Sequence, residues 1–176
     1  RTLVSATATD ASGNTSEFSA PLQAPAIIKS WNNVLGGNWN TAASWTPSGV
    51  PAATDDVQIT LDGTYTVTMN SVQSAASLTL GGATGNQTLA VTANTLTLSA
   101  ASVVNANGIL SHAGGTIAGT GSLTINGTFN WSAGVMTGAG TTTVNGPFNL
   151  SGLVSINGSR ILNNASTANW TAGVNQ

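Results

Sequence analysis

From Val57 onwards, apolar and polar residues alternate in short runs of three to five residues. In each run, alternation directs Leu, Ile, Val or Met to one face and Thr or Ser to the other. The pattern predicts strands at 57–61, 65–69, 78–80, 89–91, 96–98, 103–104, 123–125 and 154–156, and at Val144. Glycine-rich corners separate these strands at Gly81-Gly82, Gly114-Gly115, Gly119-Thr-Gly121 and Gly138-Ala-Gly140.

The strongest pattern is a repeat marked by Asn107-Gly108, Asn126-Gly127 and Asn145-Gly146, with steps of nineteen residues. A period near twenty is typical of stacked coils that bury their apolar side only against neighbours. We therefore predict an all-β fold, a parallel β-solenoid (β-helix) with about six coils of about nineteen residues. The usual chirality of parallel crossovers predicts a right-handed solenoid. Asn-Gly is expected to provide positive φ at tight turns.

The repeat also predicts which side chains share a position in successive coils. Phe129 and Phe148 are equivalent and should stack, and His112 is equivalent to Trp131 and Leu150. After Gly152 the spacing increases by one residue, which predicts an insertion at a corner. Residues 169–174 copy residues 130–135 shortly before the sequence ends. We therefore expect an incomplete last coil with an open edge at Trp170 and Val174.

Residues 21–56 form a linker (21–30) followed by a segment rich in Trp, Gly and Pro. The pattern Trp31, Gly37-Asn38-Trp39-Asn40, Trp45, Pro51 and Asp55-Asp56-Val57 resembles a segment that precedes β-solenoid regions in large bacterial adhesin-like surface proteins. We expect Trp31, Trp39 and Trp45 to plug the first coil as an end cap, which repeat stacks require. The alternative is a platform on which these rings stack against sugars.

Residues 1–20 contain a strand-like run, 2–9, followed by the turn-forming residues 10–14. The run resembles the last strand of bacterial Ig-like repeats. A lone edge strand needs a partner, so we predict a donor strand that adds to another sheet. Its candidate edge residues are Thr2, Leu3, Val4, Ala6 and Ala8. The solenoid itself is predicted to occupy residues 57–176.

Composition restricts the chemistry. Only 5% of residues are charged, the net charge is -2 and there is no cysteine. Disulfides and thiolate metal sites are therefore excluded, and nucleic acid is not an expected partner. Residues 78–150 contain no Asp, Glu, Lys or Arg, and the neighbouring Asp55 and Asp56 should point apart. No acid lies near His112 in the repeat. We predict a protein that is not an enzyme and has no cofactor or metal.

Asn-x-Ser/Thr marks candidate glycosylation sites at Asn14, Asn86, Asn126, Asn130, Asn149, Asn157, Asn164 and Asn169. No apolar run is long enough for a membrane-spanning helix. The predicted function is structural, outside the cell or at its surface. It would be an adhesin or stalk segment, or a fibre subunit that assembles through solenoid stacking and strand addition. Expected partners are copies of itself, flanking domains of the same polypeptide and surface glycans. The alternative is a module that binds carbohydrate, or ice through rows of threonine.

Overall fold

A computed structural model describes residues 3–4, 7–16, 22–23 and 26–171. These residues form an all-β structure of parallel stacked coils, a β-solenoid of about five turns, which confirms the predicted fold class. One short 3-10 helix is present at Ala42–Ser44. The strands are β1 (Leu3–Val4), β2 (Leu22–Gln23), β3 (Ile28–Trp31), β4 (Gly37–Asn38), β5 (Trp45–Thr46), β6 (Asp56–Ile59), β7 (Tyr65–Thr68), β8 (Gln73–Ala75), β9 (Ser77–Leu80), β10 (Gln87–Val91), β11 (Thr95–Leu98), β12 (Ser102–Val104), β13 (Gly108–Ala118), β14 (Leu123–Ile125), β15 (Thr128–Met136), β16 (Thr141–Val144), β17 (Phe148–Leu150), β18 (Val154–Ile156), β19 (Ile161–Asn164) and β20 (Ala168–Trp170).

Each complete coil supplies strands to three parallel ladders. The first ladder runs β3-β6-β9-β12-β14-β16-β19, and the second runs β4-β7-β10-β13-β15-β17-β20. The third runs β8-β11-β13-β15-β18, because the long strands β13 and β15 serve both the second and the third ladder. Five coils lie between β6 and β18, and β19 and β20 begin another.

The coil length is not constant along the stack. Leu110 pairs with Phe129, nineteen residues later, as the repeat predicts. Thr66, however, pairs with Thr88, twenty-two residues later. The early coils are longer because their corners are longer, as at 81–86 between β9 and β10. The nineteen-residue period therefore describes the later coils, and the prediction was wrong for the early ones.

The inserted residue predicted after the third repeat is confirmed, and it lies at a corner. Trp131 pairs with Leu150, nineteen residues later, whereas Gly134 pairs with Val154, twenty residues later. The extra residue therefore falls within 151–153, between β17 and β18. A corner accepts an extra residue because connecting segments tolerate insertions better than paired strands do.

The interior consists of stacked columns of apolar side chains. Leu89, Leu110, Phe129 and Phe148 occupy one column. The rings of Phe129 and Phe148 stack with centroids 5.1 Å apart and planes 4° apart, as predicted. Parallel, in-register pairing places equivalent positions of successive coils directly above one another, so an inward position in one coil continues as an inward position in the next.

The glycines of the Asn-Gly repeat do not provide the positive φ that was predicted for them. Gly108, Gly127 and Gly146 do not have positive φ. A Cβ at Gly108 would lie 2.6 Å from the carbonyl oxygen of Leu80 and 2.7 Å from Val104 Cγ1. At Gly127 and Gly146 it would overlap carbonyl oxygens of the preceding coil. These positions require glycine because successive coils approach closely there, not because the backbone is left-handed.

One predicted corner is also corrected. Gly114-Gly115 lies inside the long strand β13, where the pairing with β15 shifts register. Gly115 has a φ of +66°, so the chain changes direction without leaving the sheet. A bulge of this kind bends a strand at a barrel or solenoid edge.

The N-terminal segment pairs with itself in the described residues. β1 pairs antiparallel with β2, and Thr9 bridges Thr15. The Asp10 carboxylate closes the turn by accepting hydrogen bonds from the backbone N–H of Ser12 and Asn14, both at 2.9 Å. The predicted donor strand thus has a partner within the chain along Leu3–Val4. The predicted linker, 21–30, contains β2 and the first three residues of β3.

Candidate assembly surface and buried polar sites

Three tryptophans fill the N-terminal end of the solenoid. The rings of Trp31 and Trp45 meet edge to face at 5.0 Å, and those of Trp39 and Trp45 at 5.1 Å. Trp45 Nε1 donates to the carbonyl of Trp39, and Trp31 Nε1 donates to that of Asn33, both at 2.7 Å. The cluster combines a large apolar area with two satisfied indole groups, whereas the buried Nε1 of Trp39 has no hydrogen-bond partner within the described residues. The three rings close the first coil.

The same rings cannot serve as a sugar platform in this fold. Trp31, Trp39 and Trp45 are at most 2% exposed, so no ring face is open to a ligand. The prediction of a sugar-stacking site on these three residues is therefore wrong. The tryptophans pack against one another as part of the continuous hydrophobic core.

Strand β5 covers the edge of the first ladder at this end. It pairs antiparallel with β3, through Ser30 with Thr46 and Trp31 with Trp45, whereas every other pair in that ladder is parallel. Lys29 is only 8% exposed. Its Nζ holds the loop after β5 in place by donating to the carbonyls of Pro47 at 2.9 Å and Ser48 at 3.1 Å. A short, reversed strand protects a sheet edge from further pairing.

At the opposite end, no described strand covers the edges of the ladders. β18, β19 and β20 are the last described strands of the three ladders. Trp170 continues the column of Trp131 and Leu150, yet it is 65% exposed. Ile156 continues the column of buried Met136 and is 44% exposed. Among the candidate edge residues, Trp170 is thus placed where predicted, Ala8 is exposed in the N-terminal hairpin, and Thr2, Ala6 and Val174 lie outside the described residues.

The interior becomes less apolar towards this end. The column of Ile125 and Val144 continues to Asn164, and the column of Phe129 and Phe148 continues to Ala168. Asn164 donates from Nδ2 to the carbonyl of Ser166 at 2.8 Å, so its amide is engaged locally. The last coil therefore supplies less apolar volume than the coils before it.

Arg160 is a buried cation at the same end. It occupies the place of Gly140 in the preceding corner and is 7% exposed. Its Nε and Nη2 donate to Thr142 Oγ1 at 3.1 and 2.8 Å, and Nη1 donates to the carbonyls of Gly119 and Thr137, each at 3.4 Å. One side chain thus joins three successive corners. Burial lowers the pKa of the guanidinium.

His112 is fully buried and has no hydrogen-bond partner at either ring nitrogen. Its ring stacks on Trp131 with centroids 5.6 Å apart and planes 8° apart, and Val91 is its neighbour in the preceding coil. Burial lowers the pKa of His112, and the backbone of Gly115 and Gly114 offsets this only in part. The predicted equivalence with Trp131 and Leu150 is confirmed, and the residue is a core side chain in a neutral environment.

The acidic residues near the cap form no joint site. Asp55 is buried and accepts from the backbone N–H of Ala52 at 2.9 Å. Asp56 accepts from Ser77 Oγ at 2.6 Å, on the neighbouring coil. The two carboxylates thus serve different partners. Within the described residues, no group of three His, Asp or Glu side chains is placed to hold a metal ion.

Asparagines form polar ladders on the outside of the later coils. Asn145 Nδ2 donates to Asn126 Oδ1 at 2.9 Å, and Asn149 Nδ2 donates to Asn130 Oδ1 at 2.8 Å. Such amide ladders follow from in-register stacking. The Nδ2 atom of Asn149, where a glycan would be attached, is used in this ladder. The candidate glycosylation residues Asn14, Asn86, Asn126, Asn157, Asn164 and Asn169 are exposed, and Asn130 and Asn149 are half-buried.

The outward threonines do not form an unbroken row. In the first ladder Thr79, Thr124 and Thr143 share one column, but Val103 interrupts it. In the second ladder Thr66 and Thr88 precede Ile109 in their column. An ice-binding surface would need regular threonines on one flat face, and neither column provides them.

No family model matches the chain, and neither does any curated protein or any solved structure. In the described part of the chain, no helix has the length and apolarity needed to cross a bilayer. The features with structural consequences are the tryptophan cap, the exposed C-terminal coil, the glycine contacts and the three buried side chains of Lys29, His112 and Arg160.

Proposed function

We propose that the chain is a structural module from outside the cell, a segment of an adhesin-like stalk or fibre. In this proposal the solenoid is extended at its C-terminal end by a further β-coil. That coil comes either from flanking sequence of the same polypeptide or from another copy. The location outside the cell rests on the resemblance of residues 31–57 to segments of bacterial surface proteins.

The observation that carries the proposal is the exposure of Trp170 at an inward position. Trp131, two coils earlier in the same column, is 1% exposed, whereas Trp170 is 65% exposed. A tryptophan buries about 150–250 Å² when it is covered. Another coil in register would cover Trp170 and Ile156 and would pair the free backbone groups of β18, β19 and β20. The cap at the other end does not offer an equivalent surface.

The first test extends the coil within the chain. Residues 172–176 are replaced by a copy of residues 133–150, which continues the repeat after Thr171. The extended chain should unfold at higher denaturant concentration, and the fluorescence of Trp170 should shift to shorter wavelength. A matched control carries the same extension with its inward apolar residues changed to Ser. Equal stability of the extended, control and original chains would argue against coil stacking at this end.

The second test separates the two sources of the added coil. Sedimentation of the original chain at rising concentration is compared with that of a Trp170→Lys/Ile156→Lys variant. A Leu153→Lys variant, changed at an exposed corner, is the control. Association that the double variant alone abolishes identifies another copy as the partner. A monomer at all concentrations, together with a stabilising extension, identifies flanking sequence. A monomer with no gain from extension contradicts the proposal.

A further inference from the structure

Four Asn-Gly pairs occur in the sequence, and the structure treats one of them differently. Asn107, Asn126 and Asn145 precede glycines that are packed against the preceding coil, where an added Cβ would overlap other atoms. The fourth pair, Asn157-Gly158, lies in the exposed corner between β18 and β19. A Cβ at Gly158 would find its nearest neighbours at 3.3 Å, so this corner has space that the other three lack.

Hydrogen bonds hold the first three pairs. The amide N–H of Gly108 donates to Asn105, that of Gly127 to Val104, and that of Gly146 to Ile125, at 2.8, 3.3 and 3.1 Å. The asparagine side chains are also engaged, Asn107 with the carbonyls of the 82–83 corner and Asn126 with Asn145.

The fourth pair lacks both kinds of hydrogen bond, that of the glycine N–H and that of the asparagine side chain. Within the described residues, neither the side chain of Asn157 nor the backbone N–H of Gly158 has a hydrogen-bond partner. Asn157 is exposed, and Gly158 has a φ of +70°, a conformation that glycine adopts freely. The backbone N–H of Asn157 still donates to the carbonyl of Met136 at 2.8 Å, so the hydrogen bonds missing at this pair are those of the two reacting groups, the Asn157 side chain and the Gly158 nitrogen. Fewer hydrogen bonds have to open here before these two groups can meet.

We propose that Asn157 is a site of spontaneous deamidation, and that the fold protects the other three Asn-Gly pairs. The Gly158 nitrogen loses its proton to hydroxide and attacks Cγ of Asn157, so that a C–N bond forms. The Cγ–Nδ2 bond then breaks, and the NH2 group takes a proton from water and leaves as ammonia. The resulting succinimide is opened by water at either carbonyl, which yields aspartate or isoaspartate. The net change is one water consumed and one ammonia released, and no oxidant or cofactor is required.

The product changes the chemistry of this corner. Arg160 is the single Asp, Glu, Lys or Arg residue between positions 63 and 176, so the new carboxylate is the first negative charge in that region. Isoaspartate also lengthens the backbone by one atom in the corner that leads to β19 and β20. Modification would therefore alter the end of the solenoid that the proposed function assigns to stacking, although the chemistry does not depend on that function.

Peptide mapping by mass spectrometry tests the inference. The folded full chain is incubated at mildly alkaline pH, and deamidation is followed at all four pairs. The same incubation in denaturant provides the unprotected reference. In the folded chain Asn157 should react about tenfold faster than Asn107, Asn126 and Asn145, because their reaction requires local opening of the stack. In denaturant the four rates should become similar.

An Asn157→Gln variant serves as the control, because it should lose the acidic species seen by ion exchange while its circular dichroism stays unchanged. Equal rates at all four pairs in the folded chain would overturn the inference. So would an Asn157 that is slower in the folded chain than in denaturant by the same factor as its counterparts.

Discussion

Mildly acidic pH should destabilise the solenoid through His112, which is the single histidine in the sequence. The perturbation is a shift from neutral to slightly acidic conditions. His112 is fully buried, it stacks on Trp131, and neither ring nitrogen has a hydrogen-bond partner. A Cβ at Gly134 would lie 2.6 Å from Nε2, so little space remains for a water molecule. Only the backbone of Gly115 and Gly114 favours an imidazolium ion here, and it offsets the cost of burial only in part.

The sign follows from the pKa of His112, which burial lowers below its unfolded value of about 6.5. The unfolded chain then binds more protons than the folded chain between those two pKa values. The contribution of the neutral imidazole is complete above the unfolded pKa and is lost as pH falls below it. The loss approaches about 1.4 kcal/mol per pH unit until the folded pKa is reached. The groups that face His112 are Val91, Trp131 and glycine backbone, and none of them titrates.

The assay is denaturant unfolding, followed by tryptophan fluorescence, at intervals between about pH 7.5 and pH 5, above the range where carboxylates titrate. A His112→Leu variant is the control, because Leu150 occupies the same column. Its free energy of unfolding should be almost independent of pH in this window, while that of the original chain falls. Parallel pH profiles for the two chains would refute the reasoning.

Three further predictions concern stability measured by denaturant unfolding. Trp45→Ala should lower the free energy of unfolding by about 4 kcal/mol, whereas Trp170→Ala, at an exposed position, should change it by less than about 1 kcal/mol. Equal losses of stability in the two variants would contradict the interpretation of Trp45 as part of a buried end cap. Gly127→Ala should cost about 3 kcal/mol because the methyl group forces two coils apart, and a cost near zero would exclude the proposed close contact. Thr142→Val, which removes the hydroxyl acceptor of Arg160, should cost about 2 kcal/mol. Arg160→Met should lower the free energy of unfolding by less than Thr142→Val does, because removing a buried cation also removes its desolvation penalty. A larger loss for Arg160→Met than for Thr142→Val would refute this interpretation.

The repeat in the sequence was sufficient to predict the stacking columns of the later coils. Phe129 above Phe148, and His112 in line with Trp131, follow directly from the nineteen-residue alignment. In a parallel solenoid, one period in the sequence is one step along the stack, so alignment and spatial register are equivalent. The register of the early coils could not be predicted in this way, because their corners differ in length and the sequence therefore has no constant period there.

Other features depend on contacts that have no local signature. Glycine is required at position 127 because of a carbonyl in another coil, whereas the dipeptide alone suggested a turn with positive φ. Arg160 had no predicted role, but it takes the place of a corner glycine, and its side chain donates to carbonyls of the two preceding corners. The alignment of Arg160 with Gly140 was the available signal, since a large residue at a glycine position must send its side chain somewhere. The reversed strand β5 had no signal in the alternation.

The antiparallel β5 makes the two ends of the solenoid different in stability. A stack in which each coil contacts only its neighbours behaves as a one-dimensional chain of coupled units, and the ends determine where it melts. With the tryptophan plug and β5 at one end and exposed inward positions at the other, opening should begin at β20 and progress towards the cap. Amide exchange would then slow coil by coil towards the N-terminal end. The solenoid thus has an anchored end and a fraying end, and a coil added at the fraying end raises the opening cost of all coils behind it.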